Sequence, residues 1–173
     1  MPSRLGRNAY WRCNRYAAGP RRSDFHPNGR WVYTLNEEAS TIDYMSYDAA
    51  TGALALQSSI SSLPPGFEGT SYTSAIHVSA DGRFVYVLNR LCDTIGIYSI
   101  DAAGFLARVG HVWSRGDYPR EFAFESYGRY LYVLNERSDN VVAFGVDHGT
   151  GRLNFTGKWT GVAYPMDMVF LSL

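Results

Sequence analysis

Arginines and histidines are the side chains of this sequence with the most obvious chemical use. All but one of its 16 basic residues are arginines, the exception being Lys158, and there are four histidines. The sequence has no Gly-x-Ser-x-Gly nucleophile elbow and no phosphate-binding Walker loop. Ser79-Ala-Asp-Gly82 resembles the start of a calcium loop, but the remaining ligands are missing. The residues therefore predict neither a metal nor a cofactor, and any chemistry falls to ordinary polar side chains.

Charge and hydropathy narrow the range of partners. The formal net charge is zero, so no overall field favours nucleic acid or an anionic membrane. No apolar run approaches the ~20 residues of a membrane span. Two cysteines, Cys13 and Cys92, without a C-x-x-C pair predict free thiols in a reducing compartment. We therefore expect a cytoplasmic protein that binds neither nucleic acid nor membrane.

One pattern occurs three times along the chain. Each copy has a turn ending in Gly-Arg, an aromatic-rich strand ending in Leu-Asn, a second strand, and a turn that begins with Asp. The first two parts of the copies occupy His26–Asn36, Ser79–Asn89 and Glu125–Asn135. Repeats of about 40 to 50 residues with four short strands each are typical of propeller blades.

The repeats predict an all-β fold, a β-propeller fragment of about three four-stranded antiparallel blades plus a partial fourth. The predicted blades cover 18–61, 72–113 and 118–160, and a partial strand covers 165–171. Residues 1–17 form a poorly defined Arg-rich segment before the first blade. Since propellers close with roughly four to eight blades, three are too few. A homodimer, a partner chain with the missing half, and a truncated reading frame remain open.

Several motifs, taken in order, identify a family. They include Gly19-Pro-Arg21, Phe25–Arg30, Leu35-Asn-Glu37, Leu63–Phe67, Ile76–Ser79, Asn89-Arg90, Pro119-Arg120, Ser138–Val141 and Val169–Leu171. From about residue 18 onward the chain resembles the C-terminal half of the lactonase-type seven-bladed propellers. The resemblance implies a hydrolase of the pentose phosphate pathway, similar to 6-phosphogluconolactonase, that opens 6-phosphoglucono-1,5-lactone to 6-phosphogluconate. A carboxymuconate cyclase-like enzyme is a weaker alternative.

The resemblance also implies a set of site residues. Opening a lactone requires a positioned water, a base, and donors for the developing oxyanion, and a phosphorylated substrate adds a need for arginine. The residues carried over are Arg21, Glu37, His77, Arg90 and Arg120. Considered by themselves, most of these residues have structural interpretations as well. Arg21 and Arg120 could pair neighbouring blades, and Arg90 could be a solvent-exposed loop residue. His77 could be a structural residue held by hydrogen bonds.

Two positions depart from the family pattern. Arg22 stands where the family has a histidine, and Ala75 stands where it has a glutamate. A methyl group can neither accept a proton nor accept a hydrogen bond, and loss of such a base commonly costs ~10²- to 10⁴-fold in rate. The sequence therefore leaves enzymatic activity open, with a non-catalytic remnant that binds a small anion or a partner chain as the alternative.

Overall fold

A computed structural model describes residues 18–171 of the chain, and this part is built from β-strands. The first sheet contains β1 (Pro20–Phe25), β2 (Trp31–Asn36), β3 (Thr41–Asp48) and β4 (Ala53–Ser61). The second contains β5 (Tyr72–Val78), β6 (Phe84–Arg90), β7 (Thr94–Ile100) and β8 (Leu106–Trp113). The third contains β9 (Pro119–Phe124), β10 (Tyr130–Asn135), β11 (Asn140–Val146) and β12 (Leu153–Gly161). The Arg-rich segment 1–17 lies outside the described residues.

Each sheet is a four-stranded antiparallel meander, with its strands in chain order. The first strands of neighbouring sheets, β1, β5 and β9, contact one another, so they are the inner strands of three successive blades. This arrangement confirms the predicted all-β propeller blades. Within residues 18–171 there is no helix long and apolar enough to span a membrane.

Two hydrophobic clusters hold the blades together. One lies between the first and second blades and includes the fully buried Tyr33, Leu35 and Tyr98. The other lies between the second and third blades and includes Phe122 and Phe144, also fully buried. Successive side chains of a strand point to opposite faces of its sheet. The second blade has a neighbour on each face, so its strands contribute residues to both clusters. The core therefore runs between the sheets.

Tyrosine hydroxyls add specific bonds across the same interfaces. Tyr33 donates to the carbonyl of Gly104 at 2.9 Å, and Tyr86 donates to the carbonyl of Gly151 at 2.9 Å. Both glycines have positive φ, +94° and +73°, in the turn between the third and fourth strands of the next blade. A Cβ at Gly151 would collide with the ring of Phe84, so glycine is required there for close approach as well as for conformation.

The inner strands share one irregularity. The pairing of β1 with β2 shifts between Pro20 and Arg22, and that of β9 with β10 shifts at the place of Arg120. The pairing of β5 with β6 shifts between Thr73 and Ile76. A β-bulge inserts one extra residue and re-aims the neighbouring side chains. The repeated bulge therefore sets the direction of the polar residues near the start of each inner strand.

The segment 165–171 differs from its prediction as a strand. No described strand pairs with it, and without a hydrogen-bonded neighbour its backbone is not part of a sheet. Its Phe170 ring nevertheless lies 5.2 Å from the ring of Tyr132. The equivalent contact one blade earlier joins Tyr86 to Phe124 of β9 at 5.3 Å. The segment thus contacts the third blade as an inner strand of a fourth blade would.

We expect Tyr86→Phe to lower the free energy of unfolding by about 1 to 3 kcal/mol, because it leaves the buried carbonyl of Gly151 without its donor. Urea unfolding of the purified chain measures this change. Tyr127→Phe is the matched control, because Tyr127 is 77% exposed. Equal stability of the two variants would contradict the role given to the hydroxyl bond.

Candidate functional site

Three of the predicted site residues come together where the first two blades meet. Arg21 lies in the bulge of β1, Glu37 directly follows β2, and Arg90 ends β6. The Nη1 of Arg21 lies 3.0 Å from Glu37 Oε2, and its Nε donates to the carbonyl of Ser74 at 3.1 Å. The Nη2 of Arg90 donates to Glu37 Oε1. One carboxylate therefore receives two guanidinium groups, one from each blade.

Arg90 is a buried residue that connects all three blades, and the interpretation as a solvated loop charge is wrong. Only 5% of its side chain is exposed. Besides Glu37, it donates to the Tyr118 hydroxyl at 3.1 Å and to the Thr73 carbonyl at 3.2 Å. It also lies over the rings of Tyr72 and Tyr118, at 5.8 and 5.0 Å. A buried guanidinium needs such a set of partners.

The environment of Glu37 fixes its charge. Burial opposes ionisation, but the hydrogen bonds and charges of Arg90 and Arg21 outweigh it and hold the pKa of Glu37 below its usual value. An ionised carboxylate held by two arginines is a weak proton acceptor at neutral pH. Glu37 is therefore suited to positioning the two arginines.

Arg120 takes part in a second pair of the same kind. Its Nη1 lies 2.9 Å from Glu136 Oε2, and 29% of its side chain is exposed. Arg120 and Glu136 occupy the places in the third blade that Arg21 and Glu37 occupy in the first, namely the bulge and the residue after the second strand. The pair lies within the third blade, and Glu136, like Glu37, holds one edge of an arginine from an inner strand.

His77 belongs to a separate charged group on the inner strands. Its Nδ1 lies 3.6 Å from Asp24 Oδ2 of β1, and its Nε2 lies 3.8 Å from Glu121 Oε1 of β9. The Nη1 of Arg22 lies 2.5 Å from Glu121 Oε2. We call these four residues, Arg22, Asp24, His77 and Glu121, the inner-strand cluster. The cluster crosses all three blades, and the sequence predicted only His77 of it as a site residue.

The two carboxylates determine the protonation of His77. Burial opposes the charged form, but the negative charges of Asp24 and Glu121 beside the ring outweigh it and raise the pKa of His77 to about 9. The ring also lies edge-on to Phe122 at 4.8 Å. At neutral pH His77 is therefore an imidazolium, which donates hydrogen bonds and cannot accept a proton.

The two departures from the family pattern are connected through Glu121. Arg22 pairs with Leu35 and Glu121 with Leu134, so they hold the same place in the first and third inner strands. Ala75 holds that place in the strand between them, and it is fully buried. The side chain of Arg22 on β1 therefore passes over the small side chain of Ala75 on β5 to reach Glu121 on β9. An alignment of the repeats over the inner strands places Glu121 beside Ala75, a signal that motif comparison missed.

Comparison with known proteins agrees with this fold. The sequence profile of the family described as "Lactonase, 7-bladed beta-propeller" matches residues 12–170. The chain therefore belongs to the lactonase family of seven-bladed β-propellers. The 6-phosphogluconolactonase of Bacillus subtilis is 37% identical over 155 residues, which are 89% of this chain and 44% of that protein. The 6-phosphogluconolactonase of Pectobacterium carotovorum is 37% identical over 95 residues, 54% of this chain and 29% of that protein.

Solved structures show the same relation. The periplasmic gluconolactonase of Pseudomonas aeruginosa superimposes with a TM-score of 0.85 at 34% identity, over 90% of this chain and 43% of that protein. The chain thus spans less than half the length of these relatives. Among residues 18–171, no group of three or more His, Cys, Asp or Glu is placed to hold a metal ion.

The imidazolium of His77 predicts a pH dependence of stability. Its pKa is raised from 6.5 in the unfolded chain to about 9, so its stabilisation is fully present below pH 6.5 and is lost as the pH rises through 9. We expect the wild type to lose more stability between pH 6 and pH 9.5 than His77→Gln. Urea unfolding at the two pH values measures the difference.

His148→Gln is the control, because His148 is an exposed residue of the turn before β12. Its pH profile should follow that of the wild type. The NMR signal of the His77 ring should also titrate near pH 9, and a midpoint near 6.5 would contradict the charged assignment.

Proposed function

We propose that the chain supplies part of a lactonase site that opens 6-phosphoglucono-1,5-lactone to 6-phosphogluconate. The observation that carries the proposal is the inner-strand cluster, in which an imidazolium and a buried carboxylate lie 3.8 Å apart. Inner strands line the central channel of a propeller, where a small molecule can enter. The names of the relatives from Bacillus subtilis and Pectobacterium carotovorum support the substrate class.

His77 is the proposed donor to the carbonyl oxygen of the lactone. It is protonated at neutral pH, and 37% of its side chain is exposed. Its Nε2–H lies 3.8 Å from Glu121, too far for a hydrogen bond, so it can donate to an oxygen of a lactone in the channel. A positive donor stabilises the oxygen on which negative charge develops during attack by water. Asp24 keeps the ring charged and oriented through its contact with Nδ1.

Glu121 is the proposed proton acceptor in the arrangement in which Arg22 has turned away from it, because an ion-paired carboxylate is a weak proton acceptor. Water forms the new bond to the carbonyl carbon and transfers a proton to the Glu121 carboxylate. The ring C–O bond then breaks as Glu121 passes this proton to the ring oxygen, which restores the carboxylate. Glu121 accepts a hydrogen bond from the backbone N–H of Phe122 at 3.1 Å, which fixes its orientation. It thus replaces the glutamate that the family pattern places at Ala75.

Arg21 and Arg120 are the proposed contacts for the anionic part of the substrate. Each keeps more than a quarter of its side chain exposed while a carboxylate holds one edge of its guanidinium. The planar fork of arginine suits phosphate. In this assignment Glu37 and the buried Arg90 position the binding residues.

A second candidate function is binding without catalysis, either of a small anion or of a partner chain. The observation that favours it is the burial of Glu121, whose side chain is only 4% exposed and is covered by Arg22.

The assembly that completes the ring is proposed as a second copy of the chain or as the missing half. We also propose a cytoplasmic location, because the sequence has only two cysteines and no C-x-x-C pair.

Lactone opening by the purified chain tests the catalytic proposal, after light scattering has established its oligomeric state. We expect Glu121→Gln and His77→Gln each to lower kcat/KM for the phosphorylated lactone by ~10²-fold, because each removes an acid–base or oxyanion contact. Glu68→Gln is the control, since Glu68 is exposed in the linker between the first two blades. Turnover of the wild type that equals the buffer blank would contradict catalysis and favour the binding function.

A further inference from the structure

Arg22 has the most exposed side chain of the inner-strand cluster. Its side chain is 45% exposed, whereas that of its partner Glu121 is 4% exposed. The guanidinium therefore lies over the carboxylate and separates it from the open side of the cluster. An arginine has five N–H donors, so a second anion can approach it from the exposed side.

The path of this side chain depends on the residue beneath it. Arg22 starts on β1 and reaches β9, although β5 lies between the two strands. At the equivalent position β5 has Ala75, which ends at a buried methyl group. The other two inner strands carry a charged residue at this place, so the crossing over β5 is open only because its residue is small.

Glu121 does not depend on Arg22 alone. Its Oε1 accepts from the backbone N–H of Phe122 and lies 3.8 Å from the imidazolium of His77. If Arg22 turns away, the buried carboxylate still has a hydrogen-bond donor and a neighbouring positive charge. Release of Arg22 therefore does not leave an uncompensated buried charge, which is the situation that makes loss of one ion-pair partner costly.

We infer that Arg22 recognises the phosphate group of the ligand and, in binding it, uncovers Glu121. This inference rests on the proposed lactonase site and adds the means by which a phosphorylated ligand is distinguished from an unphosphorylated one. In the closed arrangement Arg22 covers the carboxylate and water has little access to it. In the open arrangement the guanidinium binds phosphate through its planar fork, and Glu121 faces the channel.

Binding of inorganic phosphate tests the recognition step apart from catalysis. We expect phosphate to shift the NMR signal of the His77 ring in the wild type, because the charge next to Glu121 changes. Arg22→Gln should weaken phosphate binding at least about tenfold, as expected for loss of a charge-assisted contact. Arg30→Gln is the matched control, since Arg30 is an exposed arginine of the turn after β1, and its affinity should equal that of the wild type.

The ratio of kcat/KM for the phosphorylated lactone to that for glucono-1,5-lactone tests the uncovering step. Arg22→Gln should lower this ratio at least about tenfold while turnover of the unphosphorylated lactone is kept or increased, because Glu121 is then open without a trigger. Equal phosphate affinity in the Arg22 and Arg30 variants would overturn the inference, whatever the turnover. Phosphate binding that depends on Arg22 in a chain without turnover would uphold recognition and contradict the proposed hydrolase instead.

Discussion

The blades of this protein stay together because polar groups that are buried between them find their partners in the next blade. His26 shows the rule in its simplest form. Its Nε2 contacts the carbonyl of Gly82 at 2.8 Å, while its Nδ1 accepts the backbone N–H of Asn28 at 3.0 Å. Because Nδ1 accepts a hydrogen bond, the proton of the neutral ring is on Nε2, which donates it across the interface to Gly82. A buried carbonyl without such a donor would cost a large part of the stability that apolar contact provides.

The same requirement explains why charged residues collect on the inner strands. Three strands meet there at close range, and each β-bulge turns an additional side chain toward its neighbours. The first and third blades fill the bulge with arginine and follow their second strand with glutamate. The second blade has Ser74 and Arg90 at these places, so its arginine pairs with the glutamate of the first blade. Because the second blade has serine and arginine where its neighbours have arginine and glutamate, it forms an ion pair with the first blade in place of one within itself.

The fold was largely predictable because it is repetitive and local. The four-stranded repeat was predicted as the structure shows it, since turn residues mark the ends of strands such as β7 and β11. The bulges of the inner strands were not predicted, because a bulge such as that between Thr73 and Ile76 of β5 interrupts the alternation of buried and exposed side chains by which a strand is recognised. Asp24 and Glu121 escaped prediction as site residues for a different reason. Their contacts with His77 join three separate repeats, and only the angle between blades brings them together.

The cluster around His77 is complete within three blades, and this has a consequence for the half-length of the chain relative to its relatives. Asp24, His77 and Glu121 come from successive inner strands, and each charge of the inner-strand cluster is compensated by another of its four members. The electrostatics of the cluster therefore requires no residue from another blade. A fuller ring would enclose the substrate and exclude water, which strengthens the interactions of these charges. In the proposed lactonase site, chemistry and enclosure are thus separable, since three adjacent blades contain the proposed reacting groups and the remainder of a ring would provide the walls.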